Sequence, residues 1–281
     1  MLDKRLLLVS GKGGVGKSAV SAALAQLATR QGKRVLLIDM GESAGLTAHL
    51  GISELEFTPR EVRTDLFAMR MVRSDALIEY LTLQLSLRGL KTLGPLARAF
   101  DALATAAPAV REIISIGKVL WEVRERHWDL VVADAPPTGQ IGSYLRAPLS
   151  IAELVPTGRI QRQAAWMGST LSNRDLTALV LVNLAEELPT TETAQTLEWL
   201  EQNDLVGPPT IVTNRLVDEL VTAPSGTGPV RDAAIHHQAV YSEQQRWLGR
   251  LPPDITLPYL FGLLTPSEVA ARLSDEFEER L

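Results

Sequence analysis

The stretch that most constrains the fold of this chain lies near its start, where residues 11–18 read G-K-G-G-V-G-K-S. They match the phosphate-binding pattern G-x-x-x-x-G-K-[ST] at every fixed position. The apolar residues 6–10 before them are typical of a buried parallel strand, and the alanine- and leucine-rich residues 19–29 after them are typical of a helix. This order predicts an α/β fold with the loop at the carboxyl end of a strand.

Each residue type in the loop suits the binding of a polyphosphate. Glycines let the backbone wrap around phosphates with its N–H groups pointing inward, and the following helix adds the positive end of its dipole. We expect Lys17 to contact the β- and γ-phosphates and the Ser18 hydroxyl to bind Mg²⁺. The predicted nucleotide-binding loop comprises Gly11, Lys12, Gly13, Gly14, Val15, Gly16, Lys17, Ser18 and Ala19.

Composition limits the classes of protein to which the chain can belong. It has 281 residues, 46% of them hydrophobic, and a net charge of −5, with no clear boundary between two domains. We therefore expect a single domain over residues 1–281. The absence of cysteine excludes disulfides and thiolate metal sites, and the acidic balance argues against nucleic-acid binding. No apolar run of membrane-spanning length and no signal-peptide pattern occurs, so a cytoplasmic protein is expected.

Two further predicted strands end in carboxylates. Residues 35–39 end in Asp39, which is expected beside the phosphate-binding loop, and residues 129–134 end in Asp134. The sequence A-P-P-T-G follows Asp134. We expect Asp134 to hold the Mg²⁺ shell, through water or through Ser18, and the Gly139 N–H to sense the γ-phosphate. The structural alternative is that Asp134 only caps this loop.

Two of these features resemble one group of ATPases. The loop contains an extra lysine, Lys12, and so resembles the two-lysine loop of the arsenical-pump and tail-anchored-protein-targeting (guided entry) ATPases. The segment D-A-P-P-T-G resembles the D-T-A-P-T-G-H switch of the same ATPases. The likeness is greatest to their actinobacterial homologues. The resemblance implies a P-loop NTPase that uses ATP and Mg²⁺ and forms a homodimer or a heterodimer with a paralogue. It also implies that Lys12 crosses to the nucleotide of the partner; otherwise Lys12 is a solvated surface charge.

The same resemblance assigns roles to other positions. Pro137, Thr138 and Gly139 fall in the second switch. Glu186, in A-E-E-L-P-T-T-E-T, corresponds to a residue near the nucleotide of the opposite subunit, and Asn214 corresponds to the asparagine that recognises adenine. An amide side chain offers a donor and an acceptor to the edge of a base.

The first switch departs from the family pattern. It begins D-P-A in the relatives, and its aspartate positions the attacking water, whereas alignment places Gly41 at that position here. Asp39 and Glu42 are the candidate replacements. If neither serves, hydrolysis is expected to be slow.

A helical elaboration is expected over about residues 59–126, because apolar stripes indicate helices within residues 74–88, 90–103 and 110–123. These helices either pack on the core or line an apolar groove. The predicted fold class is therefore α/β: a doubly wound, mainly parallel sheet with helices on both faces and this insertion.

Two functions remain open from the sequence. The first is an ATP-hydrolysing dimeric switch that binds an apolar or membrane-associated client in a protein-targeting role, in the cytoplasm or peripherally at the membrane. The second is a hydrolysis-poor nucleotide-binding subunit of a heterodimer. A partitioning ATPase is a weaker third reading, because the chain lacks a basic patch and a lysine-rich amphipathic anchor. We expect no zinc, because the cysteine ligands of the relatives have no counterpart.

Overall fold

A computed structural model describes residues 1–41, 45–85, 108–125, 127–221 and 227–281. The strands within these ranges form one eight-stranded sheet. They are β1 (Leu6–Gly11), β2 (Val35–Asp39), β3 (Arg60–Arg63), β4 (Leu66–Arg70), β5 (Leu130–Asp134), β6 (Thr177–Leu184), β7 (Thr210–Leu216) and β8 (Ile255–Pro258). The helices are α1 (Lys17–Arg30), α2 (Gly45–Leu50), α3 (Arg73–Leu85), α4 (Pro108–Glu125), α5 (Thr138–Leu154), α6 (Arg159–Ser172), α7 (Glu187–Asn203), α8 (Pro229–Arg250) and α9 (Pro266–Arg280).

The strand order is β3-β4-β2-β5-β1-β6-β7-β8, and each neighbouring pair is parallel except the edge pair β3–β4. This confirms the predicted doubly wound, mainly parallel sheet. From β1 the chain first forms β2 and the edge pair β3–β4, then returns to form β5 between β1 and β2, and finally builds in the other direction through β6, β7 and β8. The carboxyl end of β1 is therefore the point where the winding reverses, which is where open α/β sheets bind their ligands.

Burial on both faces explains the unbroken apolar runs of the central strands. Every residue of β1, β2 and β5 is buried. Leu7 and Val9 face a core completed by α1 and α9, whereas Leu6 and Leu8 face a second core completed by α4, α5 and α6. A parallel strand covered on both sides has no polar face, so its sequence does not alternate.

The segment between β2 and β5 differs in part from the prediction. Helices α3 and α4 match two of the three predicted helices, whereas the helix expected over residues 90–103 lies outside the described residues. Strand β3 was not predicted, because its residues are mostly exposed and lack an apolar pattern. Beyond this segment, helix α6 was not predicted either. Its buried residues are Ala164, Met167, Thr170 and Leu171.

Candidate functional site

The phosphate-binding loop requires glycine at particular positions. Gly11, Gly14 and Gly16 have φ angles of 151°, 89° and 98°, which side chains strongly disfavour. A Cβ atom on Gly11 would lie 2.2 Å from the carbonyl oxygen of Val182. On Gly16 it would lie 2.5 Å from Nδ2 of Asn214. The glycines therefore permit both the curvature of the loop and its close approach to β6 and β7.

Asn214 supports the loop from the neighbouring strand β7. Its Nδ2 donates a 3.0 Å hydrogen bond to the carbonyl of Val15, and its Oδ1 accepts a 2.9 Å bond from the N–H of Arg215. The residue is only 4% exposed. Contact of the amide with adenine stays a prediction, while the contact with the loop is a role that the sequence did not reveal.

The two lysines of the loop point to different partners. Nζ of Lys17 donates a 3.3 Å hydrogen bond to the carbonyl of Lys12, across the mouth of the loop. Burial lowers the pKa of Lys17, and the charge of Asp134 opposes that shift. Nζ of Lys12 instead forms an ion pair with Oε1 of Glu192 on α7. Glu192 was not predicted as a site residue.

The carboxylate of Asp134 accepts hydrogen bonds from two serine hydroxyl groups in the first turns of α1. Ser18 donates a 2.6 Å hydrogen bond to its Oδ2, and Ser21 donates a 3.1 Å bond to its Oδ1. Burial raises the pKa of Asp134 to about 6; the charge of Asp39 adds to this shift and the Ser18 bond opposes it. Ser21 lies three residues after Ser18, on the same helix face, and that spacing was the available sequence signal.

The residues around Asp134 fit a magnesium ion. Mg²⁺ prefers oxygen ligands and is held in nucleotide sites by one or two side chains together with phosphate oxygens. Ser18 and Asp134 present such oxygens at hydrogen-bond distance from each other. Among the described residues no group of three or more His, Asp or Glu suits a metal ion.

The predicted second switch lies at the end of β5. The Ser10 hydroxyl donates a 2.6 Å hydrogen bond to the carbonyl of Pro136, which ties the segment to β1. Pro137 precedes α5, and Thr138 is the first residue of that helix. In the described parts of the chain, no atom beyond the neighbouring helix backbone lies within 4 Å of a Cβ position on exposed Gly139, so its backbone is open to a ligand.

Asp39 lies beside Asp134, because β2 and β5 pair these two residues in register. Its Oδ1 accepts a 2.9 Å hydrogen bond from the N–H of Gly41, and its Oδ2 forms a 3.1 Å ion pair with Arg70 at the end of β4. Burial raises the pKa of Asp39, and these two contacts oppose the shift. Both oxygens are thus engaged, and Arg70 was not predicted. Glu42 lies outside the described residues.

Glu186 lies apart from this buried group. It is exposed, immediately precedes α7, and its side chain does not cap that helix. Its predicted approach to the nucleotide of another subunit stays a prediction.

An apolar cavity of about 320 Å³ lies on the α4–α6 side of the sheet. Its walls come from α3, α4, α5 and α6, and they include Leu77, Ile114, Trp121, Ile151, Ile160 and Met167. Lys118, one of its few charged lining residues, forms ion pairs of 2.6 Å with Glu79 and 2.7 Å with Glu122. These pairs neutralise the buried ammonium and leave the remaining walls predominantly apolar.

Across the described ranges, no helix combines the length and apolar character needed to cross a membrane.

Comparison with known proteins agrees with this geometry. The sequence model of the anion-transporting ATPase family matches residues 4–165, more than half of the chain. The matched residues include the loop, Asp39, Asp134 and the second switch.

Individual relatives of the chain are also named as ATPases. The ATPase BagA of Mycobacterium tuberculosis is 31% identical over 216 residues, which is 72% of this chain and 62% of that protein. The ATPase GET3 of Podospora anserina is 29% identical over 153 residues, covering 53% of this chain and 45% of the relative. The ATPase ASNA1 homolog 1 of Paramecium tetraurelia is 28% identical over 145 residues, covering 50% and 43%. The matched regions thus span less than two thirds of these relatives.

Proposed function

The chain belongs to the anion-transporting ATPase family, and on this premise we propose that it binds and hydrolyses Mg²⁺-ATP as a nucleotide-dependent switch. The observation that carries the proposal is the 2.6 Å hydrogen bond between Ser18 and Asp134. It brings the serine of the phosphate-binding loop to the carboxylate that precedes the second switch. A metal ion bound by Ser18 would therefore be in reach of Asp134, directly or through water.

Different residues of the site are proposed to bind the phosphates and the metal ion. The open N–H groups of Gly13 and Gly14 and the ammonium of Lys17 would bind the phosphates, because charge-assisted hydrogen bonds to phosphate are strong. Magnesium, when bound, would neutralise charge that develops on the phosphate oxygens. Ser18 and Asp134 would hold it, and Gly139 would present its N–H to the γ-phosphate.

A phosphate-release assay tests hydrolysis. The purified chain is mixed with ATP and excess Mg²⁺, and a parallel sample contains EDTA. We expect release that depends on magnesium. Release that is equal in both samples contradicts the proposed site, whereas ATP binding without release favours the second function described below.

The switch is proposed to act as a dimer in the cytoplasm. In this proposal Lys12 leaves Glu192 and contacts the phosphates of the partner subunit, as the resemblance to the two-lysine ATPases implies. Sedimentation with a slowly hydrolysed ATP analogue should show a dimer that the Lys12→Ala variant forms poorly. A dimer unaffected by Lys12→Ala would leave Lys12 as a surface charge.

The apolar cavity is the proposed client site. Its volume of about 320 Å³ falls at the lower end of the range for ligand pockets and admits a few apolar side chains rather than a whole protein segment. The name of the relative ATPase GET3 gives no client. The client is therefore proposed from the cavity and from the resemblance described above. An apolar or membrane-associated client, passed on at a membrane surface, suits these walls.

Helix α5 is the proposed connection between the two sites. It begins at Thr138 in the second switch, and Ile151 on the same helix lines the cavity. Thirteen residues of helix place these positions about 20 Å apart along its axis. The helix is continuous from Thr138 to Leu154 although Pro148 lies within it, so a shift of Thr138 on nucleotide binding would move the cavity wall.

A second function is favoured by the first switch. Gly41 has no side chain to position water, and both oxygens of Asp39 are engaged by Gly41 and Arg70. In this alternative the chain binds ATP, hydrolyses it poorly and pairs with a paralogue. The Gly41→Asp variant should then hydrolyse ATP faster than the wild type with similar affinity, because correct placement of water affects turnover more than binding. Brisk wild-type turnover that is indifferent to this change excludes the alternative.

A further inference from the structure

We propose that Glu192 is a positioning residue that competes with ATP phosphates for the ammonium of Lys12. The inference rests on the proposed function, because ATP is the competitor. Glu192 belongs to neither the predicted loop nor the predicted switches, and it stands 180 residues from Lys12 in the sequence.

One carboxylate joins the loop to the second switch. Oε1 of Glu192 pairs with Nζ of Lys12, and Oε2 lies 3.5 Å from the Thr138 hydroxyl, within reach of a weak hydrogen bond. The side chains of Lys12 and Glu192 are 28% and 38% exposed, so solvent and ligands can reach the pair. Lys12 and the first residue of α5 are therefore held by the same group.

Helix α7 holds that carboxylate in place. Thr190, two residues before Glu192, donates a 3.2 Å hydrogen bond to the carbonyl of Leu184, and Thr193, one residue after it, donates a 3.4 Å bond to Asn183. Both threonines are buried against β6. Glu192 thus projects from an anchored part of the helix toward the loop.

Competition follows from the chemistry of the lysine. The Lys12 ammonium has three N–H donors but only one position at a time, so a phosphate that lies out of its reach at Glu192, such as that of a partner subunit, must draw it away and break the ion pair. A partly exposed ion pair contributes up to about 1 kcal/mol, which corresponds to about a fivefold change in an equilibrium constant. Releasing Lys12 would leave the weak contact with Thr138 as the remaining one of these two contacts of Glu192.

The first experiment examines the contact without nucleotide. The whole chain is treated with an amine-acylating reagent, and modification of Lys12 is followed by mass spectrometry, with Lys33 as the internal reference. We expect Glu192→Gln to label Lys12 faster, because the carboxylate that shields the ammonium is gone. Glu198→Gln is the matched control, since Glu198 is exposed on the same helix and accepts a local hydrogen bond of 3.4 Å from Gln202. Equal labelling of Lys12 in all three proteins overturns the proposal.

The second experiment measures affinity for a slowly hydrolysed ATP analogue with Mg²⁺ by calorimetry. Glu192→Gln should bind about two- to fivefold more tightly than the wild type. Glu192→Asp, which keeps the charge, should return toward wild-type affinity, and Glu198→Gln should match the wild type. A merely structural glutamate would lower affinity or leave it unchanged when replaced, and either result overturns the proposal.

A double-mutant cycle identifies Lys12 as the intermediary. The increase in affinity for the ATP analogue that Glu192→Gln produces should disappear when Lys12 is also replaced by alanine. If the gain persists, Glu192 acts by repelling phosphate directly and the proposal is wrong. If neither the wild type nor any variant binds the analogue, both the proposed function and the proposed competition are wrong. The labelling result still decides whether Glu192 holds Lys12.

Discussion

The Ser18 hydroxyl donates its hydrogen bond to Oδ2 of Asp134 over 2.6 Å. The contact joins two parts of the chain that are 116 residues apart, and it exists because β1 and β5 are neighbours with Val9 opposite Asp134. A central strand that leads into the loop thus brings an acid from the adjacent strand to the predicted magnesium ligand.

The pH dependence of folding should report the burial of Asp134. Its pKa is about 6 in the folded chain against an ordinary value of 3.8, so the folded state binds more protons between about pH 4 and pH 6. Stability should therefore fall as pH rises through that window, by on the order of 3 kcal/mol from this group. Asp134→Asn keeps a hydrogen-bond acceptor and should flatten the profile and stabilise the chain at pH 7.

Urea unfolding between pH 4 and pH 8 in nucleotide-free buffer measures this profile. Asp39, whose pKa is also raised, should leave a residual slope of the same sign in the variant. A variant profile that is as steep as the wild-type profile would show that Asp134 does not titrate in this way.

Gly16→Ala should damage the loop itself. The new Cβ would force a strained φ and meet Nδ2 of Asn214, which supports Val15. We expect a loss of roughly 1–3 kcal/mol in stability, together with weaker ATP binding. Gly168→Ala is the matched control. Gly168 lies within α6, and among the described residues no atom outside its own helix backbone lies within 4 Å of its Cβ position, so the variant should be about 0.5–1 kcal/mol more stable than the wild type. Equal changes in the two unfolding midpoints would argue against strain at Gly16.

Ala164→Phe should fill the apolar cavity. Ala164 is buried and lines the cavity, so a phenyl ring there takes volume from any apolar occupant. Binding of a fluorescent apolar dye should weaken several-fold relative to the wild type. Ala233→Phe, on the exposed part of α8, adds the same group outside the cavity as a control. Undiminished dye binding to Ala164→Phe would mean that the dye, and the proposed client, bind elsewhere.

The sequence predicted the parts of this structure that are encoded locally. The loop needs glycine, lysine and serine at fixed spacing, and β1, β2 and β5 need unbroken apolar runs, so both can be recognised within a short window. Asp39 and Asp134 followed from their position at strand ends. Their proximity then followed from parallel pairing.

The contacts that the sequence did not predict are long-range. Lys12 has one partner among the many acidic residues of the chain, and only the packing of α7 beside the loop selects Glu192. The bond from Asn214 to Val15 spans 199 residues. Arg70 could not be assigned to Asp39 without knowing that β4 pairs with β2. Such partners depend on the assembled sheet and not on local pattern.

The central claim is that the loop around Lys17 binds the phosphates of Mg²⁺-ATP. Calorimetry of the wild type, of Lys17→Ala and of a Lys4→Ala control tests it most directly, since Lys4 pairs with Asp3 just before β1, at the opposite end of that strand from the loop. A charge-assisted contact contributes about 1.5–3 kcal/mol, so Lys17→Ala should lose at least about tenfold in ATP affinity while Lys4→Ala matches the wild type. Equal ATP affinity in all three proteins, or no binding by the wild type, would contradict the account.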